Sequence, residues 1–363
     1  MRACSTWLVG GLALALLGCV ADGTPARVVG WNIEGVGAPD TSEFIAAVQV
    51  LERLDPDVVA LAEVRSAADV EHLDALADAL DLEFVEVTDG APFGSLRTAV
   101  ISRWPISRWT VLDAEALAGG PANDISRFVA LAEVAVPDSH PLYVMPVHFK
   151  SGTSPNDRLR RAVEGSRIAQ ALERGSGPYV VVGDFNEQIS EVPHDPRFFR
   201  EIPRPEDLPV AWRLGADLAG RLAGGGLLND PFAPLLAESG PALVMLDARK
   251  QDGTRGTRPS SGRRLDYALV SGELAIEAEA FLYASDDIER FRDPEPAPFG
   301  ASAAASDHLA LVIDLEVPPP CSFDRDCDDG LWCTGTERCV FGRCTPGPLP
   351  CDGACDDGRL RCL

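Results

Sequence analysis

The sequence predicts an α+β (α/β) body in which helices flank a buried stack of sheets, followed by a small disulfide-rich tail. Three observations predict it. Short apolar runs alternate with amphipathic ones, without an internal repeat. Several of the short runs are apolar on both faces, as strands covered from both sides must be. Ten cysteines crowd the two ends of the chain, with none between Cys19 and Cys321. Composition agrees: 46% hydrophobic and 24% charged over 363 residues exclude a disordered or fibrous chain. Once leader and tail are set aside, about 290 residues remain, enough for two domains by length alone, although large sheet sandwiches often exceed that rule as one domain.

In chain order, residues 27–33, 57–64, 97–102, 127–136, 141–148, 178–183, 265–270 and 308–316 read as strands rich in Val, Leu and Ile. Thr41 to Leu54 carries Phe44, Ile45, Val48, Leu51 and Leu54 on one stripe. Pro155 to Arg174 carries Leu159, Val163, Ile168 and Leu172 likewise, so both read as amphipathic helices. Glu187 to Gly262, with its Pro-rich patches and Gly224, Gly225 and Gly226, reads as loops and short helices inserted above the sheet.

The ends speak to compartment. Trp7 to Leu17 is an apolar run after Arg2, too short to span a bilayer, and no other run is long enough, which excludes a polytopic membrane protein. Residues 1–18 read as a secretory signal. Leu16, Leu17, Gly18 and Cys19 resemble a bacterial lipobox, which implies cleavage before Cys19 and lipid on its thiol, tethering the protein to a membrane face. Val20, where an inner-membrane signal would place Asp, points to the outer membrane. The alternative is an ordinary signal peptide and a secreted protein.

Residues 321–363 space Cys321, Cys327, Cys333, Cys339, Cys344, Cys351, Cys355 and Cys362 among Asp, Gly and Pro. A segment this short and polar cannot bury a core and needs staples. Four disulfides are expected, with the pairing open. Zinc is the rival, but the tail has no His. Asp324, Asp326, Asp328 and Asp329 before Gly330 are similar to a calcium loop, yet the Gly falls one place late, so turn carboxylates are the plainer reading. Pro318, Pro319 and Pro320 form a stiff spacer. What the tail binds is open.

Chemistry concentrates where polar residues end the body's strands. Trp31-Asn32 closes the first and Glu63 ends the second. His148 and Gly183-Asp184-Phe185-Asn186 end later ones, Asp266 interrupts Arg-Leu-Asp-Tyr, and Ser306-Asp307-His308 opens the last. Singly, each could be a turn, a cap or a core imidazole. Together, carboxylates and imidazoles converging on one sheet edge make a hard-cation site with acid and base groups beside it. Glu63 is the best ligand for magnesium, with manganese or calcium able to substitute, and Asn32 and Asp307 complete or orient the shell. Asp266 beside His308 fixes the tautomer and stabilises the imidazolium.

These motifs, with Ala62-Glu63-Val64-Arg65, His148-Phe149-Lys150-Ser151-Gly152 and Leu265-Asp266-Tyr267, resemble in kind and order those of the endonuclease/exonuclease/phosphatase superfamily, whose members include deoxyribonuclease I, abasic-site endonucleases, sphingomyelinases and inositol polyphosphate phosphatases. The likeness runs from about Arg27 to Glu316, within a domain drawn at 27–317. It implies a four-layer αββα sandwich, deoxyribonuclease I-like, and metal-assisted cleavage of phosphate esters. It implies that Asp184 and Asn186 position and deprotonate the attacking water, that His308 acts on that water or the phosphate, and that His148 donates to a phosphate oxygen or assists the leaving group, without a covalent intermediate.

The net charge of -24 argues against coating nucleic acid by bulk charge. Locally, Arg249, Lys250, Arg255, Arg258, Arg263 and Arg264 precede Asp266, and Lys150, Arg158, Arg160 and Arg161 follow His148. With Arg65, at a position that approaches DNA in deoxyribonuclease I, Lys150 and Arg264 are the expected substrate contacts. An exported monomeric nuclease or phosphodiesterase is the leading expectation. A sphingomyelinase-like phospholipid hydrolase or a phosphomonoesterase is the alternative, although no aromatic-rich insertion hairpin is present. The abasic-site branch is disfavoured, because it has Tyr-x-Pro where this chain has His148. A non-catalytic surface-binding protein stands as the reading from a different class.

Overall fold

The computed structural model describes residues 23–363 apart from 66, 91, 93, 175–176, 190–207, 210, 224–229, 288–296 and, in the tail, 322, 329–332, 334, 341–342, 346, 349, 352–354, 357, 359–360 and 363. The leader with Cys19, the triplet Gly224 to Gly226, and Asp329-Gly330 lie outside the described residues. The described chain forms two compact units, Gly23–Pro318 and one that holds Pro319–Leu363.

In chain order the body contains β1 (Thr24–Asn32), α1 (Ser42–Leu54), β2 (Val58–Val64), α2 (Ala67–Ala79), β3 (Phe84–Val87), β4 (Arg97–Ser102), β5 (Ile106–Leu112), α3 (Ala114–Ala118), β6 (Val129–Val134), β7 (Leu142–His148), α4 (Pro155–Leu172), β8 (Tyr179–Asp184), α5 (Ala216–Ala223), α6 (Ala233–Leu236), β9 (Val244–Met245), β10 (Asp266–Val270), α7 (Gly272–Ala275), β11 (Glu279–Tyr283), α8 (Ala301–Ala305) and β12 (Ala310–Val317). They form two six-stranded mixed sheets, ordered β11-β12-β1-β2-β4-β3 and β5-β6-β7-β8-β10-β9. Each sheet has one parallel pair, β1 with β2 and β7 with β8, and each pair is joined through a helix, α1 or α4.

The strands are apolar on both faces because each sheet is covered twice. Val28, Ala60, Val100, Val144, Val180, Val182 and Ala268 fill the layer between the sheets. Outside the first sheet, Val29, Leu61 and Ile101 meet Val50 and Leu51 of α1 and Leu73 and Leu76 of α2. Outside the second, Met145, Val181 and Leu269 meet Ile168 and Leu172 of α4 and Leu235 of α6. The result is the expected four-layer αββα sandwich. The sheets approach so closely that a Cβ on Gly30 of β1 would run into Val182 of β8.

Both anticipated helices form. Thr41 caps α1 by accepting from the Phe44 amide, and Asp55 ends it with a left-handed backbone, φ 46°. Its buried stripe is Phe44, Ala47, Val50, Leu51 and Leu54. Ile45, expected on that stripe, faces solvent because the face turns one residue further round. Ser154 and Asp157 form a capping box at the start of α4, with Pro155 in the first turn. The elements not anticipated include α2, β3, α3, β9, α7, β11 and α8. β3 is only half covered and β11 buries just two residues, α2 buries only Leu73, Leu76 and Ala77, and the others are five residues or shorter, so each carries a weaker pattern than a doubly buried strand.

Pro146 has a particular effect. It lies inside β7, where it cannot donate to a neighbour. The β6–β7 ladder runs from Val134↔Leu142 only as far as Ala132↔Val144, while β7 stays paired to β8 through His148. Beyond Val144 the two strands part.

The tail forms two short hairpins, Arg338–Val340 with Arg343–Thr345 and Cys355–Asp356 with Arg361–Cys362. Disulfides join Cys321 to Cys339, Cys327 to Cys344 and Cys333 to Cys355. Cys351 is also disulfide-bonded, and the Cys362 side chain lies outside the described residues. Asp326 accepts from the Phe323 amide and Asp324 from the Cys339 amide.

Candidate active site

The expected residues converge because strand register brings them into rows. In the second sheet, His148 of β7 sits opposite Asp184 of β8, and Asp184 opposite Asp266 of β10. These three side chains are neighbours across adjacent strands. In the first sheet, Asn32 ends β1 opposite Ala62 of β2, with Glu63 next along. The β2–β4 register shifts between Ala62 and Val64, and Glu63 at that bulge has φ 63°. A bulge with a left-handed residue re-aims a side chain, here a carboxylate that regular β2 geometry would direct elsewhere. Gly183 has φ 139°, and a Cβ there would run into the Val147 carbonyl, so only glycine allows Asp184 to follow so close to β7.

Asn32 joins the two rows. Its Nδ2 donates to Glu63 Oε1 and to Asp184 Oδ2, both at 3.1 Å. His148 Nε2 lies 3.6 Å from Glu63 Oε1 and 4.0 Å from Asp184 Oδ2. Asn186 donates its backbone amide to Asp184 Oδ1 at 2.7 Å and its Nδ2 to Asp184 Oδ2 at 3.1 Å. His308 Nδ1 is 2.7 Å from Asp266 Oδ2. Ligand atoms of Glu63, His148 and Asp184 lie within 4.8 Å of one another, as do those of Asp184, Asp266 and His308. Asp266 Oδ1 is buried without a hydrogen-bond partner among the described residues. Buried carboxylate oxygens with spare acceptor capacity are the donor set a hard divalent cation takes. The residues therefore fit such an ion, with Glu63 to hold it and Asn32 to orient Glu63 and Asp184 beside it.

The sequence matches the Endonuclease/Exonuclease/phosphatase family across residues 29–308, a span that contains every one of these residues. The chain belongs to that family. A search of curated proteins finds no significant match. Among solved structures, the chain is similar to an endonuclease/exonuclease/phosphatase from Bacteroides vulgatus, at 14% identity and a TM-score of 0.49, covering 81% of this chain and 99% of that one. It is also similar to one from Beutenbergia cavernae DSM 12333, at 20% identity and 0.48, covering 81% and 72%, and to truncated Caenorhabditis elegans TDP2, at 15% identity and 0.46, covering 82% and 99%. The family match, and not these likenesses, carries the assignment. The endonuclease/exonuclease/phosphatase superfamily hydrolyses phosphoester bonds with divalent metal.

In this family member the electrostatics divide the titrating groups. Burial, then the Asp266 charge, raises the Asp184 pKa to about 7. Burial would lower His308, but the Asp266 charge and hydrogen bond, with Asp184 and Asp307, raise it to about 9. His148 goes the other way: burial, then Arg127, His308 and Lys150, hold it well below the ordinary histidine value. At neutral pH His308 is an imidazolium and His148 a neutral imidazole.

Not every expected contact joins the site. Asp307 belongs to neither cluster of close donor atoms among the described residues: Arg258 Nη2 holds its Oδ2 at 2.6 Å, while its Oδ1 lies 3.8 Å from His308 Nε2. Arg65, 47% exposed, lies at the rim, 3.0 Å from Glu34 Oε1 and 3.5 Å from Glu63 Oε2. Lys150 pairs with Asp157 at 3.2 Å. Arg264 turns away: its guanidinium lies 4.5 Å over the Tyr267 ring and donates to the Leu246 carbonyl. Arg249 and Arg255 converge on Asp247 at 2.7 and 2.5 Å.

Sequence reasoning missed Arg127, which it placed inside a strand. The strand opens two residues later, and Arg127 sits where β6 and β7 part, with its charge felt by Glu164, Glu63 and Asp184. Its Nε and the Nδ1 of His148 are both buried without a hydrogen-bond partner among the described residues, and both residues line a cavity of about 20 Å³, room for one water. Glu164 holds this corner by accepting from the Ser126 and Lys150 amides at 2.7 Å each. A lone Arg opening an apolar run was the available signal.

Proposed function

We propose that the body is a divalent-metal-dependent phosphodiesterase, with nucleic acid as its leading substrate, that cleaves by in-line attack of water. The observation that carries this is the meeting of Glu63, His148 and Asp184 with the buried Asp266–His308 pair at one sheet edge. A bound cation would offset charge on the phosphate oxygens and acidify a water. Asp184, with its pKa near neutrality, takes the proton from the attacking water, held in place by Asn32 and Asn186. Asp266 fixes the His308 ring, whose Nε2–H is free to donate to a non-bridging oxygen as charge develops there. Neutral His148 donates from Nε2 to a second oxygen or the leaving group. Arg127 supplies a buried positive charge behind the same phosphate.

Substrate class rests on the rim. Arg65 and Arg258, half exposed and reached from opposite sheets, flank the carboxylates and suit a chain with phosphates on both sides of the scissile one. We further infer export with a lipid anchor at Cys19; the tail's disulfides fit an oxidising compartment. Plasmid DNA and sphingomyelin offered to the purified protein with magnesium, then with chelator, test the function. Chelator-sensitive nicking of DNA is the expected result. Turnover of sphingomyelin alone would move the substrate to phospholipid, and chelator-insensitive or absent turnover on both would overturn the reading. Mass spectrometry of the mature N-terminus tests the anchor: an unmodified residue downstream of Cys19 would end it.

A further inference from the structure

The His308–Asp266 pair has an unusual problem of assembly. Asp266 opens β10 in the second sheet, and His308 precedes β12 in the first, so no ladder sets their separation. Thr257 lies between them, fully buried. Its Oγ1 accepts from the Leu265 amide at 2.9 Å and the Asp266 amide at 3.1 Å. Its carbonyl accepts from the Leu309 amide at 2.8 Å, and its amide donates to the Arg263 carbonyl at 2.9 Å. Arg258, the next residue, grips Asp307. One dipeptide thus holds Asp266 on one side of the pair and both chain neighbours of His308 on the other.

We propose that Thr257 is a positioning residue for catalysis, whose hydroxyl sets the Asp266–His308 contact across the two sheets. It touches neither substrate nor ion. It acts by fixing the Asp266 backbone against that of Leu309, so that the 2.7 Å bond between carboxylate and ring forms with little reorganisation. A buried Thr serves better than Ser or Val because its methyl group locks the rotamer while its oxygen accepts from two amides at once. The catalytic consequence rests on the reaction proposed above; the geometric one does not.

Thr257→Val keeps shape and the carbonyl brace but strips the two amides of their acceptor. With bis(4-nitrophenyl) phosphate and magnesium, kcat should fall about 10- to 100-fold with KM within about twofold, since a displacement near 1 Å costs that much. Thr257→Ser should recover most of the loss. In ¹⁵N-labelled protein at neutral pH, the downfield ring N–H signal of His308 bonded to Asp266 should broaden or vanish in the valine variant and persist in the serine variant. Wild-type kcat and an unchanged His308 signal in Thr257→Val would overturn the proposal. So would a loss that matches only the unfolded fraction by thermal melt, because a merely structural residue behaves that way. Should valine prevent folding, Thr257→Cys, a weak acceptor of similar size, takes its place, with partial loss of kcat and signal expected and none overturning. If the wild type hydrolyses no phosphodiester, the function falls, and the ring signal still decides the role of Thr257.

Discussion

Two regions of the body concentrate charge, and they differ in how their polar atoms are satisfied. Around Asp247, the guanidiniums of Arg249 and Arg255 share one exposed carboxylate, which they hold far below the usual carboxylate range, and nearby Lys250 is divided between Asp252 and Asp287. In the cleft, Asp184, Asp266, His148 and His308 are buried, yet Asp266 Oδ1, His148 Nδ1 and Arg127 Nε have no partner among the described residues. Buried polar atoms left without bonds are costly and rare. Charges that neutralise one another in solvent describe a surface, whereas buried groups with unmet bonding capacity describe a place prepared for something else.

The largest expected effect lies in the cleft. Asp184→Asn and His308→Ala should each lower kcat at least about 100-fold, with calorimetry showing a folded protein. Wild-type rates in both would erase the distinction between the two regions. Next, Arg127→Met, which keeps the stem and removes the charge, should reduce kcat/KM about 10- to 100-fold; an effect no larger than that of a surface arginine would return Arg127 to packing. The third test is pH. Asp184 accepts a proton only once deprotonated, so activity rises as pH climbs through about 7. His308 donates only while protonated, so activity falls as pH climbs through about 9. The profile of kcat/KM should be a bell between those limits, its values belonging to the coupled groups together, with bound cation extending the acidic side. A flat profile from pH about 6 to about 10 would contradict these assignments. The smallest effect belongs to the Asp247 cluster: Asp247→Asn should change turnover less than about threefold, as exposed ion pairs contribute little.

The contrast also marks what could be read without coordinates. The strand-end motifs were legible because an apolar strand seldom ends in a carboxylate or imidazole at six separate places by chance, and because family order reinforced them. Glu63, His148, Asp184, Asp266 and His308 all arrive together for that reason. The basic segment before Asp266 was less legible, because a run of like charge says nothing about its counterions: Asp247 holds Arg249 and Arg255, whereas Arg258 stays half exposed at the rim. Asp307, read as a ligand, gives one oxygen to Arg258, forty-nine positions away, a pairing that sequence could not show. Thr257 was invisible because the role proposed for it lies wholly in tertiary placement, and Arg127 left only the faint signal of an arginine opening an apolar run. In the fold, the doubly buried strands and both capped helices were plain, whereas partly covered β3 and β11 carried too little pattern to separate from loop.

The break opened by Pro146 has a consequence for how this scaffold could be altered. Because the ring removes an amide just where β6 would otherwise zip onto β7, the sheet keeps a notch beside His148, and the Arg127 corner fills it. A residue able to donate at position 146 would return to β7 the one amide it lacks on the side that faces β6. A single missing hydrogen thus coincides with the place where the second sheet opens beside the candidate site.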